Sequence, residues 1–190
     1  GVMFTVDTES GFDDVVFITS AYGLGEMVVQ GEVNPDEFYV HKPTLKAGFK
    51  PVVRKVLGSK AMKMVFSDST VPGETVKVEP IAEEAQRVFS LTDDDILTLA
   101  EYAMTIEAHY KRPMDIEWGL DGTDGKIYIL QARPETVASQ KGQVIERYSL
   151  KTDKAPLITG RAIGQKIGSG RASVVSSIDD IHSIKKGDVL

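Results

Sequence analysis

Four polar residues between positions 115 and 133 have the types and spacing of a metal and phosphate site. Asp115 and Glu117 lie two positions apart, as do Gln131 and Arg133, so within each pair the side chains share one face of a strand. A carboxylate and an amide oxygen from adjacent strands are hard ligands that suit Mg²⁺ with its remaining water and phosphate oxygens. An arginine beside them can donate two hydrogen bonds to phosphate.

The spacing leaves a simpler alternative open for these residues. An exposed hairpin can carry a glutamate and an arginine that form only a surface ion pair, without any ligand. Nothing in the intervals separates this reading from that of a metal site.

A glycine pair is the second candidate. Gly23 and Gly25 follow an apolar stretch, and glycine permits both a tight turn and a close approach of the backbone to phosphate. The residues after them match neither a Walker loop nor a dinucleotide-binding fingerprint, so a plain turn is the competing interpretation. The three histidines, His41, His109 and His182, share no spacing typical of metal ligands or of a nucleophile with its base.

The elements that must position the polar residues follow from periodicity. Strands are predicted at 115–120 and 126–131, joined by an Asp-Gly turn at 121–125, with Trp118 and Tyr128 as expected core anchors. Further strands are predicted at 2–6, 15–19, 37–40, 61–66 and 75–78. The mixed, basic stretch at 44–60 is interpreted as a surface excursion.

One helix is predicted with particular clarity. Thr92 is a good N-cap, three aspartates fill the first turn, and Pro113 ends the helix. One apolar face is expected to pack on a sheet; it consists of Ile96, Leu99, Ala100, Ala103, Ile106 and Tyr110.

Composition excludes several classes of protein. The chain has 190 residues, 42% of them hydrophobic, and a net charge of −6 with its basic residues dispersed, so no nucleic-acid surface is indicated. It has no cysteine, which excludes thiol catalysis and disulfides within it and fits a cytoplasmic protein. No apolar run reaches the length of a membrane span. Because both ends fall within strand-like patterns, we expect an internal piece of a longer protein. A homo-oligomer stays open.

Several stretches resemble the phosphoenolpyruvate synthase family in order and spacing, and together they cover nearly the whole chain. They are GVMFTVDTESGF at 1–12, GLGEMVVQG at 23–31, VNPDEFY at 33–39, RPMDIEW at 112–118 and QARPET at 131–136. The QARP segment alone is shared with the wider dikinase group, which includes pyruvate phosphate dikinase and rifampicin phosphotransferase.

The resemblance implies a pyruvate, water dikinase, which converts ATP, pyruvate and water to AMP, phosphoenolpyruvate and phosphate through a phosphohistidine. By the same resemblance Glu117 and Gln131 match the Mg²⁺ positions of the ATP site, and Arg133 matches its phosphate-binding arginine. The carrier histidine would lie beyond Leu190, so the chain alone is expected to be inactive. The alternatives are a related dikinase or rifampicin phosphotransferase with another acceptor, or a non-catalytic nucleotide-binding module.

The implied fold class is α+β with two domains. Residues 1–137 would form the C-terminal part of an ATP-grasp-like nucleotide-binding domain, with a mixed or antiparallel sheet and helices. A connector at 138–160, expected to act as a hinge, would lead to the start of a β-rich, swivelling phosphohistidine domain at 161–190.

Overall fold

The computed structural model describes residues 1–71, 74–136, 154–158, 167–175 and 178–190. The chain divides into two compact units, Gly1–Ile145 and Glu146–Leu190. Most of the predicted connector at 138–160 lies outside the described residues. The domain boundaries and the hinge therefore stay predictions.

The described residues of the first unit form eight strands and four helices, so the predicted α+β class is confirmed at this level. The strands are β1 (Val2–Phe4), β2 (Val15–Ser20), β3 (Asp36–His41), β4 (Val52–Val56), β5 (Met62–Phe66), β6 (Val76–Pro80), β7 (Met114–Leu120) and β8 (Ile127–Pro134). The helices are α1 (Glu26–Val29), α2 (Lys42–Lys46), α3 (Glu83–Gln86) and α4 (Asp93–Tyr110).

Six of these strands form one antiparallel sheet in the order β4-β3-β2-β1-β7-β8. The strands predicted near 2–6, 15–19 and 37–40 are confirmed as β1, β2 and β3 of this sheet. The strands predicted at 61–66 and 75–78 are confirmed as a separate pair, β5 with β6. The first unit is therefore built on one large sheet and one two-stranded ribbon.

The interpretation of 44–60 as a surface excursion is wrong. A proline in the first turn begins α2, and β4 pairs with β3 as an edge strand of the main sheet. β4 lacks the expected apolar alternation because its three middle residues are exposed. An exposed edge strand can carry Arg54 and Lys55 freely, so its sequence resembles a loop.

Helix α4 begins with a complete capping box. The Thr92 hydroxyl accepts a hydrogen bond from the Asp95 amide at 3.2 Å, and the Asp95 carboxylate accepts one from the Thr92 amide at 3.1 Å. The predicted N-cap is confirmed. The acidic first turn also complements the helix dipole, so the helix begins at a fixed residue.

The buried face of α4 packs on the main sheet, as predicted. The shared core consists of Met3, Val16, Ile18, Phe38, Val40, Leu91, Ile96, Leu97, Leu99, Ala100, Ala103, Met114, Ile116 and Trp118. Tyr110 was predicted on this face but is 51% exposed, because it is the last residue of the helix and lies past the end of the packed region. The core that α4 shares with the sheet thus lies on one face of the sheet.

The hairpin of β7 and β8 is confirmed, but Tyr128 is not one of its core anchors. Trp118 is 3% exposed, whereas Tyr128 is 47% exposed and donates a hydrogen bond to Asp124 at 2.7 Å. The register shifts by one residue after Glu117, so Trp118 lies opposite Ile129 and Tyr128 lies opposite Gly119. This bulge turns Tyr128 to the face that Trp118 does not occupy.

The described part of the second unit is sparse. It contains the two-residue strands β9 (Arg171–Ala172) and β10 (Asp188–Val189), which pair in parallel, and a 3-10 helix at Ile178–Ser183. Arg171 forms an ion pair with Asp188 across the two strands at 3.3 Å. Within the residues described in both units, no helix has the length and apolar character needed to cross a membrane.

Candidate functional site

The hairpin brings Glu117 and Gln131 together as direct cross-strand neighbours of β7 and β8. On the other flank Glu117 faces Val2 of β1. Since Met114, Ile116 and Trp118 are buried against α4, the alternate residues of β7 project to the open face of the sheet. Glu117 is half-buried there and Gln131 is exposed, so their oxygens are available to a ligand.

The next row along the same face holds Asp115 and Arg133, which also lie opposite each other. Arg133 Nε donates a hydrogen bond to Asp115 Oδ2 at 2.8 Å, and the arginine side chain is 56% exposed while the aspartate is 15% exposed. The structure thus places all three predicted residues, Glu117, Gln131 and Arg133, in two adjacent rows. The arginine's partner is Asp115 rather than the glutamate of the simple surface-pair alternative.

Electrostatics in these rows are dominated by carboxylates. The pKa of the Arg133 guanidinium is raised above its usual value, first by its hydrogen bond to Asp115 and then by the charge of that carboxylate, with smaller contributions from Glu117 and Glu135. Burial lowers the pKa of the Gly1 amino group to about 6, and the charge of Glu117 opposes that shift. The open face is therefore locally acidic around Glu117, which favours a cation.

The oxygen donors on these two strands suit a metal ion whose remaining coordination positions are filled by waters and a bound phosphate. Within the described residues, no group of three or more histidine, cysteine, aspartate or glutamate side chains is arranged to hold a metal ion. Glu117 and Gln131 can supply two hard oxygens. This fits Mg²⁺, which commonly uses one or two protein oxygens together with waters and phosphates, and not a metal that needs a full protein cage.

One glycine of the pair, Gly23, has a structural explanation. Gly23 has a φ of +79°, and a Cβ there would collide with the Met64 carbonyl oxygen, which also accepts a hydrogen bond from the Leu24 amide at 2.8 Å. The loop is thereby attached to β5. This contact accounts for Gly23 without a ligand, although the loop also lines a cavity of about 310 Å³ near the end of β7.

Comparisons with known proteins identify the family of the chain. A family model described as pyruvate phosphate dikinase, AMP/ATP-binding domain, matches residues 1–154. The match includes both strands that carry Glu117, Gln131 and Arg133. The chain belongs to this family.

Curated relatives of this pyruvate phosphate dikinase AMP/ATP-binding family are closely similar over the full chain. Phosphoenolpyruvate synthase of Neisseria meningitidis serogroup B is 57% identical over 192 residues, covering 100% of this chain and 24% of the relative. Phosphoenolpyruvate synthase of Escherichia coli K12 is 56% identical over 190 residues, again covering 100% and 24%. The probable phosphoenolpyruvate synthase of Pyrococcus abyssi is 36% identical over 192 residues, covering 100% and 23%. The chain spans about a quarter of the length of these relatives.

The three histidines of this family member lie outside β7 and β8. His41 Nδ1 is 2.7 Å from the Thr44 hydroxyl at the start of α2. His109 is exposed near the end of α4, where its ring meets Tyr110 edge to face at 4.8 Å. His182 is exposed in the second unit. The expectation that the carrier histidine lies beyond Leu190 stays a prediction.

One contact of the candidate site could not be assigned from the sequence. Asp115 was recognised only as a residue on the same face as Glu117, yet it is the partner that orients Arg133. The two equal spacings in the sequence already indicated such a contact, because two residues on each strand of a hairpin define two cross-strand pairs. The sequence left the register open, and the register decides which pairs form.

Proposed function

We propose that this chain is the Mg-ATP-binding part of a phosphoenolpyruvate synthase, with Glu117 and Gln131 as Mg²⁺ ligands and Arg133 as a phosphate contact. The observation that supports this most directly is the register of β7 and β8, which places the two oxygen ligands opposite each other. The similarity to phosphoenolpyruvate synthases over the full chain supports the assignment of the reaction.

The roles of the residues follow from their geometry. Phosphoryl transfer requires mainly positioning and neutralisation of charge, and a bound Mg²⁺ would supply that neutralisation between phosphate oxygens. Glu117 and Gln131 would hold the metal from adjacent strands. Arg133 keeps one edge of its guanidinium on Asp115 and is 56% exposed, so its remaining N–H groups are free to donate to phosphate.

The proposal extends to the longer protein that the relatives represent. It would convert ATP, pyruvate and water to AMP, phosphoenolpyruvate and phosphate in the cytoplasm, with a histidine carrying the phosphoryl group. We assign the first unit to an ATP-grasp-like nucleotide domain, which its antiparallel sheet and covering helix α4 support. We assign the second unit to the start of the phosphohistidine domain.

Paramagnetic broadening tests the metal ligands on the chain itself. Mn²⁺ replaces Mg²⁺ at oxygen sites and broadens NMR signals of nearby protons, so Mn²⁺ with ATP should broaden the side-chain amide of Gln131 selectively. Glu117→Gln should reduce this broadening at least tenfold at the same Mn²⁺ concentration, since a carboxylate ligand is replaced by a neutral one.

The matched control is Glu101→Gln, an exposed carboxylate on α4. It should leave the broadening at Gln131 unchanged. Equal broadening in wild type and Glu117→Gln would show that Mn²⁺ does not bind at this pair, and the proposed ligand set would be wrong.

A further inference from the structure

The ribbon of β5 and β6 carries an exposed face that is wholly apolar. Residues opposite each other in a strand pair share a face, and on this face the pairs are Met62 with Pro80, Met64 with Val78 and Phe66 with Val76. Phe66 is 74% exposed, Val78 is 48% exposed and Met62 is 37% exposed. A contiguous exposed apolar surface commonly marks a site of interaction with another protein segment.

The opposite face of the ribbon is charged, and it is the side that meets the rest of the first unit. It holds Lys63 opposite Glu79, and Lys77 opposite Val65. Lys63 is half-buried, and a Cβ at Gly23 would lie 3.1 Å from the Lys63 Cβ, so the loop at 23–25 packs beside this face. The apolar face therefore points away from the loop that holds the ribbon.

This arrangement leaves the ribbon short of buried surface. A two-stranded hairpin is at best marginally stable in water, and packing of a further element on its apolar face is what stabilises it. Here the two residues best placed to bury area, Phe66 and Val78, remain largely in solvent within the described part of the chain. A partner that covers them would supply the missing burial.

The size of the face indicates what kind of partner can cover it. Each strand contributes three apolar residues, which span about 14 Å. Stable association of separate molecules buries about 800 Å² on each partner, more than six side chains offer. A segment of the same polypeptide is held nearby at a high effective concentration, so it can dock on a smaller surface. The face therefore favours an intramolecular partner over a second copy.

The surroundings of Gly1 indicate which segment that is. The Gly1 nitrogen donates to the Trp118 carbonyl at 2.9 Å, and a Cβ at Gly25 would lie 3.8 Å from that nitrogen. The same loop is bonded to the ribbon, because the Leu24 amide donates to the Met64 carbonyl at 2.8 Å. In the longer protein of the proposed function, the chain that precedes Gly1 would thus start one loop away from the ribbon.

We propose that the apolar face of the ribbon docks an apolar segment of the longer protein that precedes Gly1. This rests on the proposed function, by which the chain continues a nucleotide-binding domain that begins earlier in the sequence. Docking would fix the ribbon and, through Met64, the loop at 23–25. Because that loop and Glu117 line the same cavity, the preceding segment would also help to order the candidate site.

Thiol labelling tests whether the face is covered, with the chain grafted into the aligned segment of the full-length Escherichia coli relative, to which it is 56% identical. The chain has no cysteine, so one introduced residue reports on one position. Val78→Cys should react with a maleimide about tenfold or more slowly than Lys77→Cys, because a covered thiol reacts only when the contact opens. Lys77 is the matched control, since it is the exposed neighbour on the opposite face of β6. Mass spectrometry of the peptide that carries the cysteine measures both rates.

Photo-cross-linking identifies the partner. Replacing Phe66 of the graft with the photoreactive analogue benzoylphenylalanine should give a cross-link to a segment that precedes the grafted residues. A cross-link to a second copy, or to the part of the protein that follows Leu190, would overturn the proposal. Equal labelling rates of Val78→Cys and Lys77→Cys would overturn it as well.

Phosphorylation of the same graft by Mg-ATP separates this proposal from the one on which it rests. If ATP phosphorylates the graft while Val78→Cys reacts as fast as Lys77→Cys, the docking surface is wrong and the proposed function stands. If Val78→Cys is protected and cross-linking reaches the preceding segment, but ATP does not phosphorylate the graft, the docking surface is supported and the proposed function is contradicted.

Discussion

Lys60 and Asp36 form a salt bridge of 2.6 Å between Nζ and Oδ1, and both side chains are completely buried. Nζ also donates to the carbonyl oxygens of Gly58 at 3.0 Å and Gln86 at 3.3 Å, so each of its three protons has an acceptor. The carboxylate in turn accepts from the Ser90 amide at 2.7 Å. The pair therefore links β3 to the segments that precede β5 and α4.

Lys60→Met should destabilise the first unit by about 3–5 kcal/mol, because it leaves the Asp36 carboxylate buried without a countercharge. Urea unfolding followed by circular dichroism measures the loss. The double variant Asp36→Asn with Lys60→Met removes both charges and should be more stable than Lys60→Met alone.

An exposed ion pair provides the matched control. Lys77 lies 2.8 Å from Glu79 on β6, and both side chains are well exposed to solvent. Lys77→Met should change the free energy of unfolding far less than Lys60→Met does, because solvent screens an exposed ion pair. Similar losses for the two lysines would contradict the structural role assigned to Lys60.

Gly23→Ala should destabilise the chain more than Gly31→Ala does. Both glycines have positive φ angles, +79° and +74°, so alanine is strained at either position by about 1 kcal/mol. At Gly23 the new Cβ would also collide with the Met64 carbonyl oxygen, whereas at Gly31 nothing lies within 4 Å. The difference between their unfolding free energies measures the contact between the glycine loop and β5.

The two variants should also differ in the position of β5. Because the collision partner is backbone, the ribbon of β5 and β6 must move to admit a Cβ at Gly23. Amide hydrogen exchange at Leu24, which donates to Met64 at 2.8 Å, should accelerate in Gly23→Ala only. Equal exchange in both variants would mean that the loop does not depend on β5.

Because of the phenol of Tyr39, we expect the free energy of unfolding to fall at high pH. Burial, followed by the charges of Asp7 and Glu37, raises the pKa of its phenol from 10.0 to about 12. The folded state thus favours the neutral phenol, and the stabilisation is complete below pH 10 and lost as the pH rises towards 12. Solvent screening of the partly exposed ring should limit this loss to about 1 kcal/mol.

This contribution is measured by unfolding wild type and Tyr39→Phe between pH 9 and pH 12. That range spans the shift of the phenol pKa from 10.0 to about 12. The phenylalanine keeps the stack on Phe17, whose ring centroid lies 4.8 Å away, but cannot ionise. The difference in unfolding free energy between the two chains should change across this range. Parallel pH profiles would contradict the prediction.

The sequence determined the candidate site better than it determined the core. Equal two-residue spacings were enough to place Asp115 with Glu117 on one face of β7, and Gln131 with Arg133 on one face of β8, because alternation in a strand is strictly local. The same reasoning did not predict the position of Tyr128. The one-residue bulge after Glu117 changes which face Tyr128 occupies, and no residue in the sequence marks a bulge there.

Features that depend on distant partners could not be predicted. Lys60 is completely buried and lies in a stretch interpreted as a surface excursion, because a lysine usually marks exposed chain. Its burial requires Asp36, which is 24 positions away in sequence and comes close only once β3 has joined the sheet. Tertiary pairing of this kind overrides the local pattern.

The final prediction concerns the proposed reaction and uses a graft of this chain into the aligned segment of the full-length Escherichia coli relative, to which it is 56% identical. If Glu117 holds Mg²⁺ at the ATP site, Glu117→Ala in the graft should lower phosphorylation of the enzyme by Mg-ATP by about 100-fold or more. Exchange of the phosphoryl group between enzyme and phosphoenolpyruvate should be retained, since that half-reaction would use a separate site.

Two further variants of the graft sharpen this test. Arg133→Lys keeps the charge but loses the two-pronged donor, so it should slow phosphorylation by ATP while leaving the phosphoenolpyruvate exchange intact. Glu101→Ala, on the exposed side of α4, should leave both half-reactions unchanged. Labelled ATP and labelled phosphoenolpyruvate measure the two half-reactions separately. If Glu117→Ala were phosphorylated by ATP at the rate of the unmodified graft, or if it lost both half-reactions equally, Glu117 would not be a ligand specific to the ATP site.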